Sequence, residues 1–283
     1  MADQDLYQQI WDEDVKNGNG IMPVVNEEEG NKDGGYIVVD DKETTDKNHK
    51  IFPNLHIPAR KLKSYELVSK LFNNYSLDPK EGEDNILSES EEVEEFLNFV
   101  INSKPMKLTK KIIEERSQID ISESQWFTYL YNLWFRKFST RKGRDLSGFE
   151  HIFVGEGEGR TLGGHHFWYT YHLEDSVNSD HTIYLGPRYE CANPESPDVV
   201  TIGYEVEAMD FVKKEYTSLV KKIGGFFVGL SAEGIMALGT LRFTPQAYAP
   251  KEAFINSNHY QMKLFRSQDN QSIRTFYPVY LCR

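Results

Sequence analysis

Three histidines stand close together in one glycine-rich stretch, SGFEHIFVGEGEGRTLGGHHFW (147–168): His151, His165 and His166. Imidazole titrates near pH 6.5, so around neutrality one ring can hold a proton while its neighbour offers a lone pair. That is the equipment of a two-histidine general acid/base reaction. The glycines between the rings let the chain fold back and bring His151 toward His165 or His166. The plainer alternative for each ring is a hydrogen-bonded structural residue of a strand. A further alternative is metal ligation, with Glu150 and Glu156 joining two imidazoles in a mixed nitrogen–oxygen site. Neighbouring residues of a strand face opposite ways. Only one of His165 and His166, and only one of Glu150 and His151, can then enter a single cleft.

Two more segments carry chemistry. In LVKKIGGFFVGLS, Lys221 and Lys222 read as the end of a helix before a Gly-Gly turn into a strand. An ammonium there can stabilise charge developing on an oxyanion or phosphorane, or the pair is simply solvated. In SIRTFYPVYLCR, Thr275 and Tyr277 alternate onto one strand face. A hydroxyl and a ring on one face can bond and stack a nucleobase, or Tyr277 packs inward as core.

Helices and then strands must position these residues. Helical spacing predicts helices at DLYQQIWDEDVK, PARKLKSYELVSKLFNNYSL, SEEVEEFLNFVINS (with Ser90 as N-cap), MKLTKKIIEERSQ and SESQWFTYLYNLWFRKFST. Residues 17–50 read as a surface excursion with one β-like run, GYIVVD. After about residue 147, short runs rich in β-branched and aromatic residues alternate with Gly and Pro. HIFVG, HFWYTYHL, TIYLG, VVTIGYEV, GGFFVGL, MALGTLRF, HYQMKLF and IRTFYPVYL are read as strands. A helix is predicted at AMDFVKKEYTSLVKK, and SAEGIMALGTLRF can open with a further turn of helix before its strand. The class is α+β: an N-terminal helical region, 1–146, followed by a β-rich catalytic region of antiparallel sheets, 147–283.

The 283 residues are 39% hydrophobic and 13% aromatic, enough for a substantial core. No apolar run approaches the roughly 18 residues of a membrane span, and the acidic start does not read as a secretory signal. Two cysteines, Cys191 and Cys282, lack metal-site spacing; they could pair with each other, but so sparse a usage fits a reducing compartment better, so an intracellular protein, cytoplasmic or nuclear, is expected. The net charge of −12 is uneven. Residues 1–100 carry 23 acidic and 10 basic side chains, and residues 101–283 carry 21 and 22, a net of +1 that leaves room for a basic patch.

Taken together the motifs resemble the EndoU family, the uridylate-specific endoribonucleases of the placental-protein-11 type, related to the nidoviral uridylate-specific endoribonuclease. The first box has the form SGFEHVFVGE and stands here as SGFEHIFVGE (147–156). The second, GxHNW, stands as GHHFW (164–168), with Phe167 in place of Asn. KxVGxxFxG appears as KKIGGFFVG from Lys221, and the terminal box as TFYP (275–278). IWDEDVK (10–16) and FLNFVINSKPMKLTKKIIEE (96–115) are similar to segments outside the family's catalytic part. Support is least in 17–60 and 175–215.

The resemblance implies His151 and His166 as the catalytic imidazoles, Lys221 as the charged stabiliser, and Glu150 and Glu156 as supporting residues. It implies that Thr275 and Tyr277 read uracil and its sugar. Gly225 replaces a uracil-contacting serine of the nidoviral relatives and leaves only a backbone group. It further implies cleavage of single-stranded RNA at uridylates by 2′-OH attack, leaving 2′,3′-cyclic phosphate and 5′-OH ends. A divalent cation, Mn²⁺ or Ca²⁺, would stimulate without being required by the chemistry. No membrane or obligate protein partner is expected. The rival readings are a catalytically weak RNA-binding protein and a metal-dependent phosphodiesterase built on Glu150, His151, Glu156 and His166.

Overall fold

The apolar spacing of the first segment produces α1 (Leu6–Asn17), which buries Tyr7, Ile10, Trp11 and Val15 on one side. The computed structural model describes residues 5–81, 87–141, 143–177, 182–190 and 197–282. After α1 come three short strands, β1 (Met22–Val24), β2 (Tyr36–Val38) and β3 (Leu55–His56), in a small sheet whose first pair is parallel. The surface excursion of the sequence reading therefore holds a three-stranded sheet. Then follow α2 (Leu62–Lys70), α3 (Leu87–Asn102), α4 (Lys104–Ser117) and α5 (Glu123–Trp134). Ser90 lies inside α3 rather than at its cap. Helix α5 opens on a capping box in which Ser122 and Gln125 satisfy each other's backbone N–H groups.

Beyond residue 147 the chain makes a single π-helical turn, Glu150–Val154, then β4 (Glu156–Glu158), β5 (Thr161–Gly163), α6 (Trp168–Val177), β6 (Thr182–Pro187), β7 (Val199–Asp210) and β8 (Glu215–Phe227). Helix α7 (Ala232–Phe243) precedes the last sheet, formed by β9 (Glu252–Ile255), β10 (Asn258–Arg266) and β11 (Ile273–Tyr280). The larger sheet has the order β4-β5-β8-β7-β6, antiparallel except where β5 meets β8. The smaller has β10 at its centre and is antiparallel throughout. The fold is α+β.

Several elements differ from the sequence reading. HIFVG falls in the π turn, and HFWYTYHL and MALGTLRF are helical. Their aromatic and β-branched residues favour strands in isolation, but packing on both sides decides the matter. In α7 every residue but Arg242 is buried, so no amphipathic period exists to be read. The expected helix at AMDFVKKEYTSLVKK is instead the β7–β8 hairpin. Asp210 makes its turn by accepting from the backbone N–H groups of Val212 (3.1 Å) and Lys213 (2.9 Å). Lysine at the inward position 221 breaks the apolar alternation that would have announced β8.

The hydrophobic core is continuous across residue 146: Trp11 packs against Phe227, and Trp134 Nε1 donates to Thr240 Oγ1 at 3.0 Å. Residues 1–146 and 147–283 thus share one core. Asp14 ties the first helix to α7. Its buried carboxylate accepts from Ser231 N (2.8 Å) and Ser231 Oγ (2.6 Å) at the α7 N-terminus. A Cβ on residue 234 would collide with that carboxylate, so Gly234 is required there. Among the described residues, no helix is long and apolar enough to cross a membrane. Cys282 is disulfide-bonded, which removes the argument from reduced thiols to a reducing compartment. Cys191 lies outside the described residues.

Candidate active site

The π turn and the tight turn at Gly164 hold two imidazoles together. His165 N donates to His151 O (2.8 Å) and His166 N to Ile152 O (2.7 Å), so the second histidine segment is bonded to the first. Gly164, at φ +60°, makes the approach; a Cβ there would collide with the His151 carbonyl. The His151 and His166 rings come to 6.2 Å between centroids.

Their surroundings differ. His151 Nδ1 lies 2.9 Å from Glu156 Oε1, on the first residue of β4. Burial raises the Glu156 carboxyl, but the hydrogen bond and charge of His151, with Arg274 and Lys221, outweigh it and hold the group below its ordinary range. An ionised carboxylate only accepts, so His151 Nδ1 carries a hydrogen and Nε2 is left for chemistry. His166 Nδ1 donates to Gly225 O at 2.9 Å. Burial, reinforced by the charges of Lys221 and His151, pushes this imidazole well below its usual value. It is neutral at pH 7, with Nε2 bearing the lone pair. The Tyr277 ring stacks on it at 4.5 Å and 13°.

Lys221 reaches the same place from strand β8, not from a helix end. Its Nζ donates to the Gly164 carbonyl, and burial lowers its pKa to about 8, with Glu156 acting in the opposite sense. Lys222 alternates outward and is exposed. A cleft of about 660 Å³ opens beside these groups. His151, His166, Lys221, Gly225, Thr275 and Tyr277 all line it, so six of the eight candidates converge. Thr275 Oγ1 is buried with no hydrogen-bond partner among the described residues, a polar atom poised for a ligand. Gly225 lines the cleft too, but its carbonyl is engaged by His166, and Pro278 O would lie 3.0 Å from a Cβ.

Glu150 and His165 turn elsewhere. Glu150 is buried, accepts from Ser147 N (3.1 Å), and its own N–H bonds Ser147 Oγ (3.1 Å), fastening the π turn. His165, also at positive φ, is buried behind the site. Its Nδ1 lies 2.6 Å from Tyr204 OH, and its Nε2 lies 3.1 Å from Glu174 Oε2, off the line of a hydrogen bond. The proposed metal donors do not form one set, because Glu150 faces its own turn while His151 pairs with Glu156 and His166 with Gly225. Among the described residues, no group of three or more His, Cys, Asp or Glu side chains converges to hold an ion.

The sequence reading missed Arg188, Thr201 and Lys263, which also line the cleft. Arg188 and Thr201 lie in the segment with least family support. For Lys263 the signal was present in the alternation of HYQMKLF, which puts Gln261 and Lys263 on one face.

The motifs and geometry agree with comparisons to known proteins. A family model described as endoribonuclease XendoU matches residues 3–278. The chain is 27% identical to poly(U)-specific endoribonuclease-B of Xenopus laevis over 98% of its own length and 92% of the relative's. It is 29% identical to uridylate-specific endoribonuclease B of Danio rerio over 97% and 94%. A solved structure titled as XendoU, a splicing-independent snoRNA processing endoribonuclease, superposes with a TM-score of 0.72 at 23% identity, covering 98% of this chain and 96% of that one. The likeness in three dimensions shows the shared fold, and the family model, spanning nearly every residue, shows the kinship: this chain belongs to the endoribonuclease XendoU family.

Proposed function

We propose that this protein cleaves single-stranded RNA at uridylates by internal transesterification. RNA carries its own nucleophile, the 2′-OH. The reaction must take that proton, protonate the leaving 5′-oxygen, and offset the charge on the five-coordinate phosphorus. His166 is the base, since burial and the bond to Gly225 O leave it neutral with Nε2 free. His151, beside the Glu156 carboxylate, is the acid. Lys221 supplies the positive charge. Each proton transfer contributes roughly 10²–10⁴ in rate. The products carry a 2′,3′-cyclic phosphate and a 5′-OH. Thr275, with its unpartnered buried hydroxyl, and Tyr277, stacked on His166, contact the uridine.

The observation that carries this reading is the pair of rings 6.2 Å apart in unlike settings, one neutral and one beside a carboxylate. The relatives' names as poly(U)- and uridylate-specific endoribonucleases support the substrate. A stimulatory Mn²⁺ or Ca²⁺ belongs to the same reading, but no step depends on it. The described residues do not present a donor set for such an ion. The test is an RNA with one 2′-deoxyuridine at the scissile position. It should bind and stay intact, while the ribose version yields a cyclic phosphate end. Cleavage of both at equal rates would end the mechanism.

A further inference from the structure

Two cations lie one strand outward from two different neighbours of His166, its stacking partner Tyr277 and its hydrogen-bond acceptor Gly225. On one side, Tyr277 stacks on the imidazole, and its register partner across β10–β11 is Lys263. Directly paired residues of an antiparallel ladder share a face, and Lys263 accordingly lines the cleft. On the other side, Gly225 O accepts from His166, Gly225 pairs with Thr201, and Thr201 O accepts from Arg188 N at 2.7 Å. Arg188 lines the cleft as well.

Neither cation has a carboxylate within ion-pair distance among the described residues. That is notable in a chain of net charge −12. Arg188 is also held in place. Its Nη1 donates to Pro187 O (2.8 Å), and its guanidinium lies against Gly203, where a Cβ would sit 3.1 Å from Nε. The next residue, Tyr189, is anchored by its hydroxyl to Asp41 Oδ2 (2.6 Å) and Val199 O (3.1 Å). Two acidic groups lie on this rim, the exposed Glu190 and Glu43, whose carboxylate reaches Gly186 beside Arg188 Nη1, and neither forms an ion pair with the guanidinium. An oriented guanidinium and an ammonium, each unpaired and facing a shared cleft, suit phosphodiester oxygens.

We infer that Lys263 and Arg188 bind the backbone phosphates on either side of the scissile one, so that the RNA strand crosses the cleft from one rim to the other. This rests on the proposed ribonuclease reading and deepens it. The substrate is a continuous strand with phosphates both upstream and downstream of the uridine, and chain ends are poor substrates.

The experiment compares four RNAs, each with one uridine: a dinucleotide holding only the scissile phosphate, the same extended on the 5′ side, on the 3′ side, and on both. Wild-type kcat/KM should rise with each extension. Lys263→Gln should erase the gain from one extension and Arg188→Gln the gain from the other, each by about two- to fivefold, the range of a charge pair at an exposed or half-buried site. Affinity for a long, uncleavable 2′-deoxyuridine strand provides a readout free of turnover. The slope of its logarithm against log salt should become shallower by about 0.7 for each cation removed. Loss of the same extension's gain in both variants, or unchanged gains and slopes, overturns the inference. Failure of wild type to cut any of the RNAs would instead overturn the ribonuclease reading, and the binding slopes would still decide the role of the rims.

Discussion

Glu156→Gln keeps the side chain's shape and an acceptor oxygen but removes the negative charge 2.9 Å from His151 Nδ1. Both side chains are only 13% exposed, so the charge acts through a partly desolvated medium. At an effective dielectric of 20, two unit charges about 4 Å apart interact by about 4 kcal/mol. A neutral acceptor retains about 1 kcal/mol of that as an ordinary hydrogen bond. The carboxylate also favours the protonated form of Lys221. The substitution therefore removes the charge that faces the proposed acid and loosens the proton of the proposed stabilising cation. A loss of about 2–4 kcal/mol in transition-state stabilisation corresponds to about 30- to 1000-fold in kcat/KM. The assay is a pH–rate profile on a uridine-containing oligonucleotide, with thermal denaturation confirming that the variant folds. Besides the drop, the alkaline limb should move to lower pH, because Lys221 loses the group that holds its proton. A folded variant with wild-type kcat/KM and an unmoved limb would refute the role given to this carboxylate.

Other consequences follow from the same geometry. Wild-type activity should fall as pH rises through about 8, where the buried Lys221 loses its charge, and should persist well below pH 6.5, because His166 stays neutral there. Lys221→Ala should lower kcat by about 10²–10³ and remove the ammonium's part of that alkaline limb, leaving only the part set by proton loss from the acid. His165→Ala should reduce cleavage far less than alanine at 151 or 166. It should still cost about 1–3 kcal/mol in urea unfolding, because the buried Tyr204 hydroxyl loses its partner. Burial, then the charge of Glu233, raises Asp14 to about 7, above its unfolded value of about 3.9. The folded state thus binds that proton more tightly. Its contribution to stability is complete below about pH 4 and declines as pH rises toward 7. Asp14→Asn should flatten that decline in unfolding free energies measured across this window.

How far the sequence could be read depended on whether a residue's partners were local. Helices α1, α4 and α5 carried their own side-chain caps, and they and α2 carried apolar stripes, so they were legible. Helix α7 was not, because burial on all sides erases the stripe that defines an amphipathic helix. The β7–β8 hairpin was misread as a helix because its one decisive inward residue is a charged one, Lys221. A lysine is placed inward only when a carbonyl and a carboxylate elsewhere in the chain compensate it, here Gly164 O and Glu156.

The residue types and their order, with the glycines at 155 and 164, settled what chemistry the chain can carry: two imidazoles and an ammonium on segments able to fold back. Only the tertiary structure decided which of His165 and His166 enters the cleft, that Glu156 pairs with His151 while Glu150 fastens the turn that carries it, and that Lys263 and Arg188 line the same cleft. The physical reason is that protonation and orientation are set by neighbours brought from far along the chain. Gly225, 59 residues after His166, takes the hydrogen of its Nδ1 and so makes Nε2 a base. Tyr204, 39 residues after His165, takes the adjacent ring out of play.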